Sequence, residues 1–557
     1  MSTQSASRVN PNPIKTLADV VDAVRAADLP KQRGQELASA LRTAARAIGK
    51  PLDRVPADPR RLAALMSEVS PIALNISLER WANVRSLTRA GLALVQPMAP
   101  GRLITPLSPG WKALWKQLPS KVKMALSRFA RFSTVRGIEP EGVTAETFEA
   151  FRAYLDDSLL KSPDRIYGAM ARGWRAAQTA VESWPRIGIT VPNRRKDWTL
   201  PWSRFPASLE QDCAAWCDRL AGRDLLADGP VRIVRPGTVA HRERQIRTFA
   251  SALVRQGRDP ATLVSLKDLV EIEALKTGLM FLIERSGGKT TTAIYDFVSA
   301  MKAVARHHLH VEQDHLDQIA RIMRRLDVGH RGLSQKNRSR LRQLDDPQNV
   351  TALLDLPRTL IDLAARNPRP YAGALQAQTA VAIEILLMAP LRIDNLACLD
   401  LDRNLVRPGR SNIIHIVFER EDVKNREPLE YPLPPEGVAL IGRYLSAFRE
   451  RFAPPSCCTA LFPGRSGGSK SLNALRDQIC KAVHRYTGMR MHPHLFRHAG
   501  AKLYLDANPG SYEVVRRVLA HRSISTTTNF YTGLESASAV RHFDATILKR
   551  RNSGKAA

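Results

Sequence analysis

Up to about residue 335 the apolar positions recur at spacings of three and four, which gathers them on one side of a helix and predicts an almost wholly helical chain broken by Pro- and Gly-containing turns. The first unit, about 15 to 100, holds two clear helical stretches, LASALRTAARAIG (37–49) and PRRLAALMSEV (59–69), and ends in the Pro-rich VQPMAPGRLITPLSPG. From about 347 the pattern changes. A long apolar helix, ALQAQTAVAIEILLMA (374–389), runs into the turn Pro390-Leu391-Arg392, after which Asp394 is placed to cap a helix carrying Leu396 and Leu399. The β-branched run SNIIHIVFER and the polar-centred EDVKNREPLEYPLP predict a β-hairpin with Lys424 near its tip. Helical periodicity returns in SLNALRDQICKAVHRYTG, HPHLFRHAGAKLYLD, SYEVVRRVLAHR and the segment around NFYTG. The sheet is therefore small, within a mainly helical domain.

Part of the helical region repeats. Phe129-Ala130, Gly137 and Pro140 recur as Phe249-Ala250, Gly257 and Pro260, each displaced by 120 residues. In both copies a basic amphipathic helix ends at a glycine suited to a left-handed cap, and an acidic-Pro pair leads toward the next helix, which reads as an internal duplication. Between the copies, VPNRRKDWTLPWSRFP (191–206) mixes basic and aromatic residues with prolines and reads as an extended, solvated connector. A second basic connector, GHRGLSQKNRSRLRQLDD (329–346), presents Arg331, Lys336, Arg338, Arg340 and Arg342 with hardly any apolar residue. It offers too little to build a core and suits a strap across phosphates.

Composition sharpens this picture. At roughly 100 to 200 residues per domain, 557 residues predict about three or four domains. The 84 Lys+Arg against 53 Asp+Glu leave a net charge of +31, an excess that calls for an anionic partner, nucleic acid first. Six cysteines at irregular spacing do not make a disulfide scaffold, and the opening MSTQSASRVNPNPIK lacks a signal peptide's apolar stretch, so the chain reads as cytoplasmic. The longest apolar run, Thr379 to Leu391, is interrupted by Glu384 and is shorter than the roughly 20 residues a bilayer requires, so no membrane segment is expected. Neither Cys213 with Cys217 nor Cys457-Cys458 with His492 and His494 has the two-pair spacing of a structural zinc site; they read as buried thiols, and no metal site is assigned.

The helix after Pro493 carries the most chemistry. Helical geometry puts His494, Arg497, His498 and Ala501 on one face and Phe496, Ala499 and Leu503 on the other, so one face should pack and one present a guanidinium and imidazoles. His498 taken alone reads as a structural histidine. Downstream, His521 ends a helix built on Val514, Val515, Val518 and Leu519, the Ser525-Thr526-Thr527 cluster can cap the next, and Tyr531 lies near its end. One hydroxyl nucleophile, two arginines, one lysine and two histidines are what metal-free phosphoryl transfer requires.

PLRIDNLACLDLD, the lysine in DVKNREPLEYPLP, PHLFRHAGAKL and LAHRSISTTTNFYTG, in that order, resemble the signature boxes of the tyrosine recombinases, the phage-integrase family, over roughly 347 to 540. Residues 232–330 resemble, less sharply, the helical core-binding domain that this family places before its catalytic domain. The resemblance implies a mainly α multidomain chain: an N-terminal helical domain (1–100), a helical domain duplicating the core-binding domain (101–205), the SAM-like core-binding domain (232–330), a basic linker (331–346), and a mixed α/β catalytic domain with a small antiparallel sheet (347–557). By position, Arg392 resembles the first catalytic arginine, Lys424 the hairpin lysine, His494 and Arg497 the His-x-x-Arg pair, His521 the second histidine and Tyr531 the nucleophile. The implied activity is site-specific recombination or integration of a mobile element through a 3′-phosphotyrosine, without ATP, divalent ion or other cofactor. The implied partners are double-stranded DNA, a homotetramer on two DNA sites, and accessory recombinases. Asn395, Leu495-Phe496 and Ala520 depart from the family pattern, Ala520 standing where glycine is usual. The rival readings are a type IB topoisomerase-like relaxer and a DNA-binding regulator that no longer cuts.

Overall fold

The computed structural model describes residues 15–95, 105–156, 163–191, 198–222, 233–329, 332–409, 413–423, 427–452, 458–464, 468–531 and 536–553. The chain separates into two compact units, one made of residues 1–191 together with 331–557, the other of residues 192–330.

In the first unit, α1 (Leu17–Ala26), α2 (Lys31–Ile48), α3 (Pro59–Ser67) and α4 (Leu78–Ala93) form an N-terminal module. Thr16 and Asp19 make a reciprocal capping box on α1, Asp58 caps α3 and Ser77 caps α4, which satisfies N–H groups that a helix start leaves unpaired. The apolar stripes of the four helices close one core around Val20, Leu41, Leu62 and Trp81. A second module, α5 (Pro109–Gln117), α6 (Ser120–Val135), α7 (Ala145–Asp156) and α8 (Pro163–Ala180), has an aromatic core. Trp111, Phe129, Phe148, Trp174 and Trp184 pack there with ring centroids 5.1 to 6.4 Å apart, mostly edge to face, the arrangement that ring quadrupoles favour.

The second unit contains α9 (Ala207–Leu220), α10 (Pro236–Arg255), α11 (Lys267–Val270), α12 (Ile272–Arg285), α13 (Thr292–His307) and α14 (Gln313–Leu326), with a core of Leu209, Ile246, Phe249, Leu253, Leu279 and Met301. The 120-residue repeat is reproduced in its backbone. After α6, the Gly137 and Ile138 N–H groups reach the Thr134 and Ser133 carbonyls; after α10, Gly257 and Arg258 reach Val254 and Leu253 in the same pattern. These are Schellman turns, and they need the left-handed φ of +69° at Gly137 and +95° at Gly257. A 3-10 turn follows each, at Pro140–Gly142 and Pro260–Thr262, and Phe129-Ala130 and Phe249-Ala250 are all fully buried.

The expected solvated connector is, from Trp198 onward, part of the second unit's core. Trp198 packs on Phe281 with Arg285 over its ring, Phe205 is buried, and Trp202 Nε1 donates to Glu243. Apolar side chains dispersed through an extended segment are enough to cover neighbouring helices; residues 192–197 of that connector lie outside the described residues.

The remainder of the first unit is α15 (Gln335–Leu341), α16 (Pro347–Leu354), α17 (Leu356–Ala365), α18 (Pro370–Met388), α19 (Ile393–Ala397), β1 (Leu405–Val406), β2 (His415–Phe418), β3 (Leu429–Pro432), α20 (Pro435–Ala447), α21 (Leu472–Thr487), α22 (Pro493–Ala507), α23 (Tyr512–Val518), α24 (Ile524–Tyr531) and α25 (Ser536–Ser553). The apolar α18 is its central core helix. The sheet is antiparallel in the order β1-β2-β3, with Ile416 opposite Leu405 and Tyr431. The hairpin follows the sequence expectation; β1 adds a two-residue strand too short to leave a periodic signal. The second basic connector differs from its expectation. It forms α15 and a 3-10 turn at Arg342–Asp345, and Leu333, Leu341 and Leu344 are buried in the C-terminal core. Leu341 and Leu344, three apart, supply an apolar face that composition alone underrates. Lys336, Arg338 and Arg342 stay exposed, Arg340 is half-buried, and Arg331 lies outside the described residues.

Candidate active site

Helix α22 is the centre of the site. Pro493 takes its first turn, where a missing N–H costs nothing. The expected open polar face is not what forms. His494 is exposed, but Arg497 and His498 are only 3% and 5% exposed, because α23 and α24 fold back over them.

A buried guanidinium requires partners. Nη1 of Arg497 donates to the Pro390 carbonyl, and Nη2 donates to the Leu519 carbonyl at 2.6 Å. Pro390 belongs to the turn that carries Arg392, and Leu519 lies two residues before His521. One side chain thus pins three separated segments to a single point. Burial, and then the like charge of Arg392, pull the Arg497 pKa below its ordinary value.

The end of α23 aims His521 into this region. Ala520 N–H bonds to the Arg517 carbonyl and His521 N–H to that of Arg516, both at 2.9 Å, the Schellman pattern again. Ala520 supplies the left-handed residue with φ +48°, a conformation that costs an L-residue roughly 1–2 kcal/mol. His521 Nδ1 lies 3.0 Å from Thr527 Oγ1 on α24. Burial, then Arg497 and Arg392, lower the His521 pKa to about 4, so its ring is neutral near pH 7 and can donate a single N–H. At the start of α24 it is Ser523 Oγ that accepts an N–H, from Ser525, rather than the expected Ser525-Thr526-Thr527 cluster; Thr527 instead faces His521.

Tyr531, the last residue of α24, is fully buried among Ala501, Leu505, Val515 and Leu519. Its hydroxyl lies 2.8 Å from Nδ1 of His498. Burial raises the phenol pKa, and Arg497 offsets only part of this. Burial, then His494 and Arg497, lower the His498 pKa to about 3. With the ring proton assigned to Nε2, Nδ1 accepts the phenolic O–H, so a neutral ring holds a neutral nucleophile candidate. The sequence alone reads His498 as structural. The available signal was its i+4 spacing from His494, whose ring centroid lies 4.9 Å away.

Arg392 is half-buried at the N-cap of α19; Asp394, expected as the cap, lies in the first turn instead, and no side-chain cap bond forms. The charge of Arg392 acts on Arg497, His521 and Tyr431, which sets it beside them. Asn395 is buried and its Nδ2 donates to the Asp422 carbonyl at 3.4 Å, tying α19 to the hairpin. Lys424, expected near that hairpin's tip, lies outside the described residues. Two further residues were not foreseen. Tyr431 donates its hydroxyl to the Val518 carbonyl at 2.7 Å, joining the sheet to α23. Lys502 Nζ contacts Asp345 at 2.9 Å and Asp506 at 2.7 Å, tying α22 to the end of the basic segment. Arg392, Arg497, His521 and Tyr531 therefore converge, with His494 one helical turn from His498. Two guanidiniums, a neutral imidazole donor and a phenol suit an anion with more than one exposed oxygen.

Residues 348–537 match the model of the phage integrase family. Tyrosine recombinase XerC of Azotobacter vinelandii is 28% identical over 261 residues, covering 45% of this chain and 80% of the relative. XerC of Pseudomonas aeruginosa is 27% identical over 286 residues, covering 50% of this chain and 88% of the relative. Among solved structures, the Tn1549 transposon integrase in complex with transposon right end DNA aligns over 60% of this chain and 99% of its own, at 17% identity and a TM-score of 0.37.

Proposed function

We propose that this chain, whose residues 348–537 match the phage integrase family, is a tyrosine recombinase that breaks and rejoins DNA at specific sites. The observation that carries this reading is the Arg497 junction, which joins the Arg392 turn and the His521 helix end to α22, with α24 held beside them through His498–Tyr531 and His521–Thr527. A phosphodiester resists attack because its non-bridging oxygens are negative and the transition state adds charge. Arg392 and Arg497 would hold those oxygens, and His521 would donate to one of them. Tyr531 Oη would attack phosphorus and form the 3′-phosphotyrosine while the P–O5′ bond breaks. Its proton would pass to His494, and Lys424 would give one to the leaving 5′ oxygen. The ester keeps the bond energy, so a second strand's 5′ hydroxyl can reverse the step.

The biological setting belongs to the same reading: integration or excision of a mobile element, by a homotetramer on two DNA sites in the nucleoid, with or without an accessory recombinase. The basic segment Lys336, Arg338, Arg340 and Arg342 would grip phosphates, and binding would then weaken steeply with salt. Helix α25 leaves Val540, Phe543 and Ile547 exposed at spacings of three and four, as a surface for a neighbouring protomer would.

Trapping on nicked substrates tests the chemistry. The expected outcome is a covalent protein–DNA adduct that persists in EDTA and is abolished in Tyr531→Phe. Two marked DNA sites incubated together should yield recombinant junctions; relaxation of supercoils without junctions would favour the topoisomerase-like alternative, and no adduct at all the non-cutting regulator.

A further inference from the structure

The segment Gly488–His492 leads directly into Pro493 and therefore sets where His494 and Arg497 begin. The basic segment holds one side of it: Gln343 Oε1 accepts from the Arg490 N–H at 3.0 Å, and His492 Nε2 lies 3.4 Å from Asn337 Oδ1. The other side is held by the N-terminal module, within the same compact unit but far outside the family match. The Glu68 carboxylate pairs with the Arg490 guanidinium at 2.6 Å. The Glu68 carbonyl faces His484 Nε2 at 3.1 Å, and Ser70 Oγ donates to the Arg485 carbonyl at 2.7 Å. The approach is close enough that a Cβ on Gly488 would stand 3.1 Å from the Ala73 Cβ.

We propose that the N-terminal module is a brace for the active site, with Glu68 and Ser70 as positioning residues that fix Gly488–His492 and, through it, His494 and Arg497. The proposal deepens the recombinase reading and rests on it. The Glu68–Arg490 pair is 59% exposed on both sides and contributes little by itself, on the order of 0–1 kcal/mol. Ser70 is 7% exposed, so its bond to a helix-terminal carbonyl is the better shielded contact. Small contacts suffice because both partners are on one chain, where tethering replaces association by a high effective concentration. The output is geometric: a misplacement of about 1 Å in groups aligned on a reacting phosphorus can cost on the order of a hundredfold in rate.

The test uses the full chain. Ser70→Trp wedges the contact apart, while Glu68→Arg, Arg490→Glu and their combination reverse the ion pair at two exposed positions. Three quantities are read: amide exchange at Gly488–His492, DNA affinity, and the single-turnover rate of adduct formation at saturating DNA. With Ser70→Trp, exchange should quicken and the adduct rate fall about ten- to a hundredfold, with affinity within about twofold. Each charge reversal should slow adduct formation about two- to fivefold, and the double reversal should recover it. Faster exchange with an unchanged adduct rate overturns the brace, as does a double reversal no better than the singles, which remains decisive if Ser70→Trp fails to fold. Absence of any adduct with the parent chain sinks the recombinase reading and the brace together, whereas a working parent with unchanged exchange in Ser70→Trp sinks the brace alone.

Discussion

The Arg497 corner and the Tyr531 corner of the site are equally buried but differently held. Arg497 is anchored by two backbone carbonyls, from segments more than 100 residues apart in the chain, so its position is fixed by the fold itself. Tyr531 is anchored at its hydroxyl by one side-chain bond, to His498, at the end of an eight-residue helix. A neutral hydrogen bond of this kind is worth only about 0.5–1.5 kcal/mol net. The guanidinium is preorganised and the phenol is stored: fully covered, protonated, and reachable by a phosphate only once it leaves His498. On the proposed function, with Arg497 in the charge clamp and Tyr531 as nucleophile, that asymmetry would hold the clamp still while the phenol moves.

The contrast can be broken most forcefully at Arg497. Arg497→Lys replaces a planar fork by one point donor that cannot bridge the Pro390 and Leu519 carbonyls while facing a phosphate. Single-turnover adduct formation should fall about a hundred- to thousandfold, with a lower melting temperature. Acid comes next. His492 and His521 have pKa values of about 4 and His498 about 3 in the fold, below the roughly 6.5 of an unfolded histidine. Below that pH the unfolded chain takes up protons that the folded chain refuses. Their stabilisation is therefore complete above about pH 6.5 and is lost progressively as the pH falls toward 4 and 3. Melts between pH 7.5 and 5, above the range where carboxylates titrate, should show the decline, and His498→Phe should flatten it.

At pH 7.5 the same His498→Phe variant sharpens the comparison from the other side. It leaves the Tyr531 hydroxyl without its acceptor, which should cost about 1–3 kcal/mol and make Tyr531 more reactive toward iodination in the DNA-free protein. Unchanged reactivity would mean that packing, rather than the bond, stores the phenol. The smallest effect is expected at Ala520→Gly. Relief of roughly 1–2 kcal/mol of left-handed strain is offset by about 0.5–1 kcal/mol of glycine's extra unfolded-state freedom, so denaturant melts should register a gain of about 0–1.5 kcal/mol.

What the sequence made legible was whatever is local. Apolar spacing located the long helices and the hairpin, and the ordered boxes around Arg392, His494, Arg497, His521 and Tyr531 pointed to the proposed chemistry because each box carries its own residue types. What it hid depends on distant segments. The carbonyl partners of Arg497 and the pairing of His498 with Tyr531 exist only after α23 and α24 fold back, so the face of α22 that looked open buries Arg497 and His498, while Gly500, Tyr504 and Ala507 are left exposed. Leu341 and Leu344 were lost among five basic neighbours, and Trp198 and Phe205 among prolines. Ala520 was noticed as a departure, but its positive φ could not be read from a residue that normally avoids it.

The aromatic core of α5–α8 has one more consequence. All eight tryptophans fall between Trp81 and Trp216, and none lies beyond residue 330. Tryptophan emission from the intact protein therefore reports on the helical modules alone, and the half that carries Arg497 and Tyr531 contributes no indole signal. A single indole placed beside the phenol, as in Phe530→Trp, would be the first in that half, and its emission, taken as the difference from the parent chain, would report any movement of Tyr531.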